Sequence, residues 1–351
     1  MNKTIQKKEK AAPICIGTGL VALDIILNGN PKTLPKIYAG GSCGNVMAIL
    51  SFLNWKTYPI ARLANNNAAK ELVSDLTKFK VSPNFISCTS DGSTPIIIQR
   101  IKIDKLGNPI HRFEFRDPDT GAYLPSYKPV LGASVESIIK KSPSPNVYYF
   151  DRINRASIDL ASEYKKLGSV VFFEPSSIGE PRLFEQCLNV ADIIKFSADR
   201  IPNYSNMYPK QRVPLEIETN GKDGLRYRFS HSLSSKSWKH SPSYKIGGIV
   251  DAAGAGDWCS AGIIAIIGNT GNDGFKKIKA AEISKAVKYG QALGAINCCF
   301  NGARGTMYNL NPKDIHQIIA KLSSNKELSL AVFNKKTKDK RTTIFKLAEL
   351  L

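Results

Sequence analysis

Residues 251–262 read DAAGAGDWCSAG. Asp257 follows a flexible turn, Gly254-Ala255-Gly256, and directly precedes a run that becomes apolar. Glycines at such a place let backbone N–H groups turn toward a ligand. The first N–H groups of a helix lack internal partners and lie at the positive end of its dipole. The combination is a cradle for an anion such as phosphate. A carboxylate in the same turn is repelled by phosphate, unless it takes a proton from whatever attacks that phosphate. An attacking hydroxyl is poor until its proton leaves, and a carboxylate within hydrogen-bond reach can remove it. An acid that merely complements a helix dipole needs no glycines before it.

Three other glycine turns carry residues able to bind polar ligands. GTGLVALD places Asp24 after the end of an apolar run, GGSCGN holds Gly40, Gly41 and Asn45, and TNGKDG holds Thr219 and Gly221. Each is weak alone, because glycines at strand ends are common. Their order and character together carry the argument.

These turns need elements to position them. The stretch 13–27, PICIGTGLVALDIIL, begins as a buried strand that ends at glycine. Residues 40–55 carry apolar side chains at 46, 47, 49, 50 and 53, which is helical spacing, and 68–79 is an amphipathic helix. Residues 94–116 alternate apolar and polar on both sides of KLGN and predict a hairpin with a mostly charged outer face, including Arg100, Lys102, Arg112 and Arg116. From about 145 onward strands at 146–150, 169–175 and 192–197 alternate with helices at 156–167 and 180–189. A strand pair follows at 214–229 and a long helix at 283–300. Alternation of this kind predicts an α/β three-layer sandwich with a mostly parallel central sheet. Ligands bind such sheets beyond the carboxyl ends of the strands. The hairpin predicts a small β-sheet lid, made from about 30–38 and 94–116, on a domain spanning 12–330, with basic extensions at 1–11 and 331–351.

Composition narrows the class. The chain has 351 residues, 42% of them hydrophobic, enough for a sizeable core. No apolar run approaches the ~18–20 residues a membrane span needs, and MNKTIQKKEKAAP lacks the apolar stretch of a secretion signal. A cytoplasmic protein without membrane contact is expected. Seven scattered cysteines without CxxC spacing and four histidines argue against a zinc site or a disulfide framework. The formal charge is +20, but much of the excess sits in the tails, as in KKEK at 7–10 and NKKTKDKR at 334–341. No segment interleaves aromatic and basic residues as RNA-binding sheets do. The charge fits an enzyme that handles anionic substrates rather than a nucleic-acid binder.

With GGSCGN near the N-terminus and DAAGAGD in the C-terminal third, the chain resembles the ribokinase-like (PfkB) family of sugar and nucleoside kinases. That family carries a GG…N motif and a D-[TS]-T-G-A-G-D motif, and the resemblance runs from about residue 12 to about residue 308. It implies a ribokinase-like fold and ATP-dependent phosphorylation of a sugar hydroxyl with Mg2+. By position it implies that Asp257 is the catalytic base and that Gly254, Ala255 and Gly256 form the anion hole. Asp24, Gly40, Gly41 and Asn45 match positions that hold the sugar's hydroxyls. Thr219 and Gly221 match a turn near the nucleotide phosphates, and Gln291 falls near the adenine. Asp251, with the carbonyl of Ala253, matches a monovalent-cation (K+) site of some members. Lids of the family sometimes pair between subunits, which implies a homodimer.

The chain also departs from the family. Ala252 and Ala253 stand where the motif has hydroxyls. The N-x-x-E motif, tied to magnesium and phosphate, aligns with SADR, so Ser197 replaces the asparagine and Arg200 the glutamate, with Asp199 one residue early. Glu174 in FFEPSS stands where the family has D-P-N and supplies an acid for the metal. Two alternatives follow: a nucleoside kinase, or a catalytically silent sugar- or nucleotide-binding protein.

Overall fold

The computed structural model describes residues 11–27, 35–103, 109–234, 236–323, 328–329 and 347–351. Of the expected features, residues 30–34 of the lid, the 7–10 run and the 334–341 run lie outside the described residues.

The strands are β1 Ile14–Thr18, β2 Ala22–Leu27, β3 Lys36–Gly40, β4 Lys56–Ala64, β5 Phe85–Thr89, β6 Ile96–Ile103 and β7 Pro109–Glu114. They continue as β8 Val147–Phe150, β9 Val170–Phe173, β10 Ile193–Ser197, β11 Leu215–Thr219, β12 Leu225–Phe229 and β13 Lys239–Ser241. The helices are α1 Ser42–Phe52, α2 Asn67–Lys78, α3 Val135–Lys141, α4 Arg155–Lys166, α5 Pro181–Val190, α6 Tyr204–Met207, α7 Ala255–Ile267, α8 Gly271–Phe275, α9 Ala280–Asn297 and α10 Gly305–Asn309. Two further helices follow toward the C-terminus: α11 Pro312–Ser323 and α12 Leu347–Leu350.

Among the described residues, nine strands form one sheet in the order β13-β12-β11-β10-β9-β8-β1-β4-β5. Pairings from β11 through to β5 are parallel, and β12 and β13 add antiparallel at one edge. Side chains alternate across a strand, so a strand covered on both faces is apolar at every position. VYYF and VVFF are fully buried for this reason. Val147, Tyr149, Val170 and Phe172 face the core beneath α1, α7 and α9. Tyr148, Phe150, Val171 and Phe173 face the opposite core beneath α4 and α5. There Phe150 and Phe173 stack with centroids 4.6 Å apart.

The second sheet has the order β3-β2-β6-β7. β2 pairs parallel with β6 and antiparallel with β3, and β6 pairs antiparallel with β7. Its composition corrects one expectation: PICIGTGLVALDIIL is two strands in two sheets, so Asp24 lies inside a lid strand and not just past the end of β1. The break falls at Gly19, with φ +148, where a Cβ would stand 1.6 Å from Asp151 Oδ1. Both halves of the run are apolar, which conceals the change of sheet. Across β6 and β7 of the lid, Arg100 holds Glu114 through two 3.0 Å hydrogen bonds, and Arg112 is exposed. The C-terminal region is not wholly a solvated tail: α12 packs against α2 and buries Leu350.

Candidate active site

Asp257 lies in the first turn of α7, whose Ser260 donates to Glu174 just past the carboxyl end of β9. That helix is apolar almost throughout and buries Trp258–Ile264 and Ile267. Small residues let it lie hard against α9: a Cβ on Gly262 would stand 2.7 Å from the Gly290 Cα, and one on Gly290 2.5 Å from the Cys259 carbonyl. The helix that carries the acid is therefore held by backbone contact and has little freedom to shift. From the other side α1 brings Asn45, whose Nδ2 donates to Asp257 Oδ2 at 2.8 Å. Asn45 Oδ1 is buried without a hydrogen-bond partner. Burial raises the Asp257 carboxyl to about 8; the nearby Glu174 adds to this, while Asn45 and Lys195 oppose it.

Lys195 is a site residue that the motif comparison did not supply. It sits on β10, almost fully buried, and its Nζ forms an ion pair with Glu174 Oε1 just past β9. Glu174 Oε2 accepts from Tyr149 Oη at 3.1 Å and from Ser260 Oγ. A Cβ on Gly256 would lie 3.7 Å from Lys195 Nζ, so this ammonium stands beside the glycine turn. Burial alone would lower the Lys195 pKa, but Glu174 outweighs it and the ammonium is held above its usual range. The signal was present in DIIKFS: a lysine inside an otherwise apolar buried strand is expensive unless paired.

The turn before α7 is built as the glycines predict. Gly254 has φ +74, and a Cβ there would strike the Ala303 carbonyl at 2.3 Å. Ala255 N–H donates to the Ala252 carbonyl at 3.3 Å, so the N–H groups left to face an anion are those of Gly256 and Asp257, which have no acceptor in a first helical turn. Asp251 ties the turn down. Its Oδ1 accepts from Ala253 N and its Oδ2 from Gly302 N, both at 2.7 Å. The Ala253 carbonyl accepts from Asn297 Nδ2 at 2.9 Å. Both groups assigned to a monovalent cation are thus engaged in holding the loop.

At the lid, Gly40 and Gly41 do separate work. A Cβ on Gly40 would lie 2.0 Å from Asp24 Oδ2, so this glycine makes room for the carboxylate. Gly41 has φ +77 and a close neighbour in the Leu20 carbonyl. Asp24 Oδ1 is buried with no hydrogen-bond partner. Burial raises the Asp24 carboxyl to about 7, and Arg304 opposes the rise.

On the other side, Ser197 and Thr219 are register partners at the carboxyl ends of β10 and β11. Gly221 follows with φ +53 and open space where a Cβ would be. Gln291 on α9 is tied to the end of β13, accepting from Ser241 Oγ at 2.6 Å and donating to the Ser241 and Pro242 carbonyls. Asp199 and Arg200 are exposed on the loop after β10. Among the described residues no group of three or more His, Cys, Asp or Glu side chains could hold a metal ion. Glu174 is neutralised by Lys195, and Asp251 is taken by backbone N–H groups. These two acids do not fit a protein-built magnesium site, and the positive charge at the turn comes from Lys195 and the helix N-terminus.

No helix among the described residues is long and apolar enough to cross a membrane. No protein-family model and no curated protein sequence matches the chain. Solved structures do. Fructokinase from Xylella fastidiosa, with bound ATP, aligns at a TM-score of 0.66 and 16% identity, covering 88% of this chain and 99% of the other. Aminoimidazole riboside kinase from Salmonella enterica aligns at 0.62 and 16%, covering 87% and 99%. The nucleoside kinase of Methanocaldococcus jannaschii, an archaeal member of the ribokinase family, aligns at 0.62 and 16%, covering 88% and 98%. The two sheets, their order and this near-complete overlap establish that the protein has the ribokinase fold, with the four-stranded sheet in the place of a lid.

Proposed function

We propose that the protein is a phosphotransferase that moves the terminal phosphoryl group of ATP to a hydroxyl of a sugar or nucleoside. One observation carries the reading: Asp257 stands in the first turn of α7 behind Gly254 and Gly256, anchored by Asn45 and flanked by the Lys195 ammonium. The acceptor lies between the lid acid Asp24 and Asp257. Each sugar hydroxyl both donates and accepts, so a carboxylate and an amide suit it. Asp257 takes the proton of the attacking hydroxyl, for which a carboxyl raised by burial is better matched than an ordinary one. Negative charge on the moving phosphoryl group is met by the N–H groups of Gly256 and Asp257 and by Lys195. Ser197, Thr219 and Gly221 border the nucleotide phosphates. Lid closure excludes water, which competes as acceptor.

The Salmonella structure holds aminoimidazole riboside with an ATP analogue, and a Vibrio cholerae fructokinase of the same fold holds fructose and ADP. Both acceptor classes therefore belong in the test. ADP release is measured against a panel of sugars, sugar phosphates and nucleosides, with MgATP as donor. Acceptor-dependent ADP release supports the proposal. Saturable acceptor binding with no ADP from any of them replaces it with a silent sensor.

A further inference from the structure

We infer that Arg304 is a positioning residue of the acceptor site, aiming the Asp24 carboxylate while tying the lid to the turn before α7. The inference rests on the reading of Asp24 as an acceptor-binding acid. Arg304 is 3% exposed, and its Nη2 donates to Asp75 Oδ2 on α2. Its guanidinium lies 5.3 Å from the Phe79 ring centre and 6.0 Å from that of Tyr308. Arg304 Nη1 is buried without a hydrogen-bond partner, and so is Asp24 Oδ1. Buried orphaned polar atoms are rare in folded proteins. Here a donor and an acceptor of opposite charge are both left over on the same side of the lid: Tyr38, the β3 partner of Asp24, meets the ring of Tyr308, which the guanidinium also faces. A small movement of the lid that joined them, or an acceptor hydroxyl set between them, would satisfy both.

The backbone around Arg304 reaches the other half of the site. Gly302 N donates to Asp251 Oδ2, and the Ala303 carbonyl accepts from Trp258 Nε1 at 3.1 Å and abuts Gly254. On the lid side, Asp75 Oδ2 also accepts from Ala39 N at 2.9 Å, one residue before the Gly40 that makes room for Asp24. Three consecutive residues, Gly302 to Arg304, thus link the turn that receives phosphate to the strand that flanks the lid acid. Among the described residues, the charged and ionisable groups around Asp24 are Arg304, Asp75 on α2, Tyr38 opposite it on β3, and Tyr308 on α10, whose ring meets that of Tyr38 at 5.2 Å. β6 places the apolar Ile97 on its other side. Arg304 is the cation of this set.

The test reads Asp24 directly. Protein labelled at the aspartate carboxyl carbons is titrated by NMR, with the Asp24 resonance identified by its loss in Asp24→Asn. Wild type is compared with Arg304→Lys, Arg304→Gln and the double variant Asp75→Asn/Arg304→Gln. The double variant removes the buried pair without leaving Asp75 as a lone charge, so it stands if Arg304→Gln does not fold. The Asp24 midpoint should rise by about one unit or more in the double variant, with Arg304→Lys between it and wild type. With an acceptor identified by the panel, its KM at pH 7 should rise about tenfold, with the KM for ATP within about twofold. An unchanged Asp24 midpoint in the double variant overturns the inference, as does an equal rise in both KM values. The titration needs no phosphoryl transfer. If the panel finds no acceptor, the kinase reading fails while the coupling of Arg304 to Asp24 is still decided.

Discussion

Replacing Asp257 by Asn removes one charge and keeps the shape of the side chain. The amide carbonyl introduced by Asp257→Asn can still accept from Asn45, so the fold and nucleotide binding should survive. Turnover should fall by roughly 10²–10⁴, the range for a lost general base, or about 2.7–5.4 kcal/mol of barrier at ~1.36 kcal/mol per factor of ten. The same substitution has a signature that does not depend on catalysis. The Asp257 carboxyl rises from its ordinary value of 3.8 to about 8 in the folded chain. The folded state therefore holds this proton more tightly than the unfolded chain does, and stability falls as pH rises between those two values. One retained unit corresponds to ~1.4 kcal/mol; a chain of 351 residues converts that into roughly 2 °C of melting temperature. The amide does not titrate, so the variant should lose less stability than wild type between pH 5 and pH 9. Melting curves across that range, with single-turnover rates alongside, decide both points. Near-wild-type turnover in the variant would sink the base assignment. Identical pH dependence of melting in the two proteins would refute the claim that burial raises the Asp257 carboxyl.

Asp24→Ala should weaken acceptor binding far more than ATP binding, because its carboxylate is carried by a lid strand; calorimetric titration that finds equal losses, or a loss for ATP alone, removes it from the acceptor site. Lys195→Met leaves Glu174 without its cation, at a cost of roughly 3–5 kcal/mol in unfolding experiments. Adding Glu174→Gln should restore most of that stability but not turnover; recovery of turnover would confine Lys195 to a structural role. Asp251→Asn opposes one backbone N–H with an amide group, so it should destabilise by about 1–3 kcal/mol and slow turnover without altering any preference for K+ over Na+. Loss of such a preference in the variant would instead assign Asp251 to a cation site.

The chemistry of the 251–257 turn is legible because it is local. A glycine held at positive φ, N–H groups without acceptors and an acid in the next turn all follow from a few consecutive residues. The parallel sheet is legible for a similar reason, since strands covered on both faces become unbroken apolar runs such as VYYF and VVFF. The residues that tune the site are separated along the chain, and nothing local marks their partners. Asn45 meets Asp257 across 212 residues, and Arg304 meets Asp75 across 229. Lys195 shows in sequence only as a charge in an apolar strand; its pairing with Glu174 depends on β9 and β10 being neighbours in the sheet. Asp24 is the clearest case. Composition places it in an apolar run, but only the fold shows that the run crosses to a second sheet, at Gly19, where the backbone lies close to Asp151. Side-chain type and spacing therefore determined which groups could bind phosphate and take a proton. Only tertiary structure decided which charges are neutralised, which stay orphaned and which face one another, because burial and distance set those terms and both belong to the folded chain.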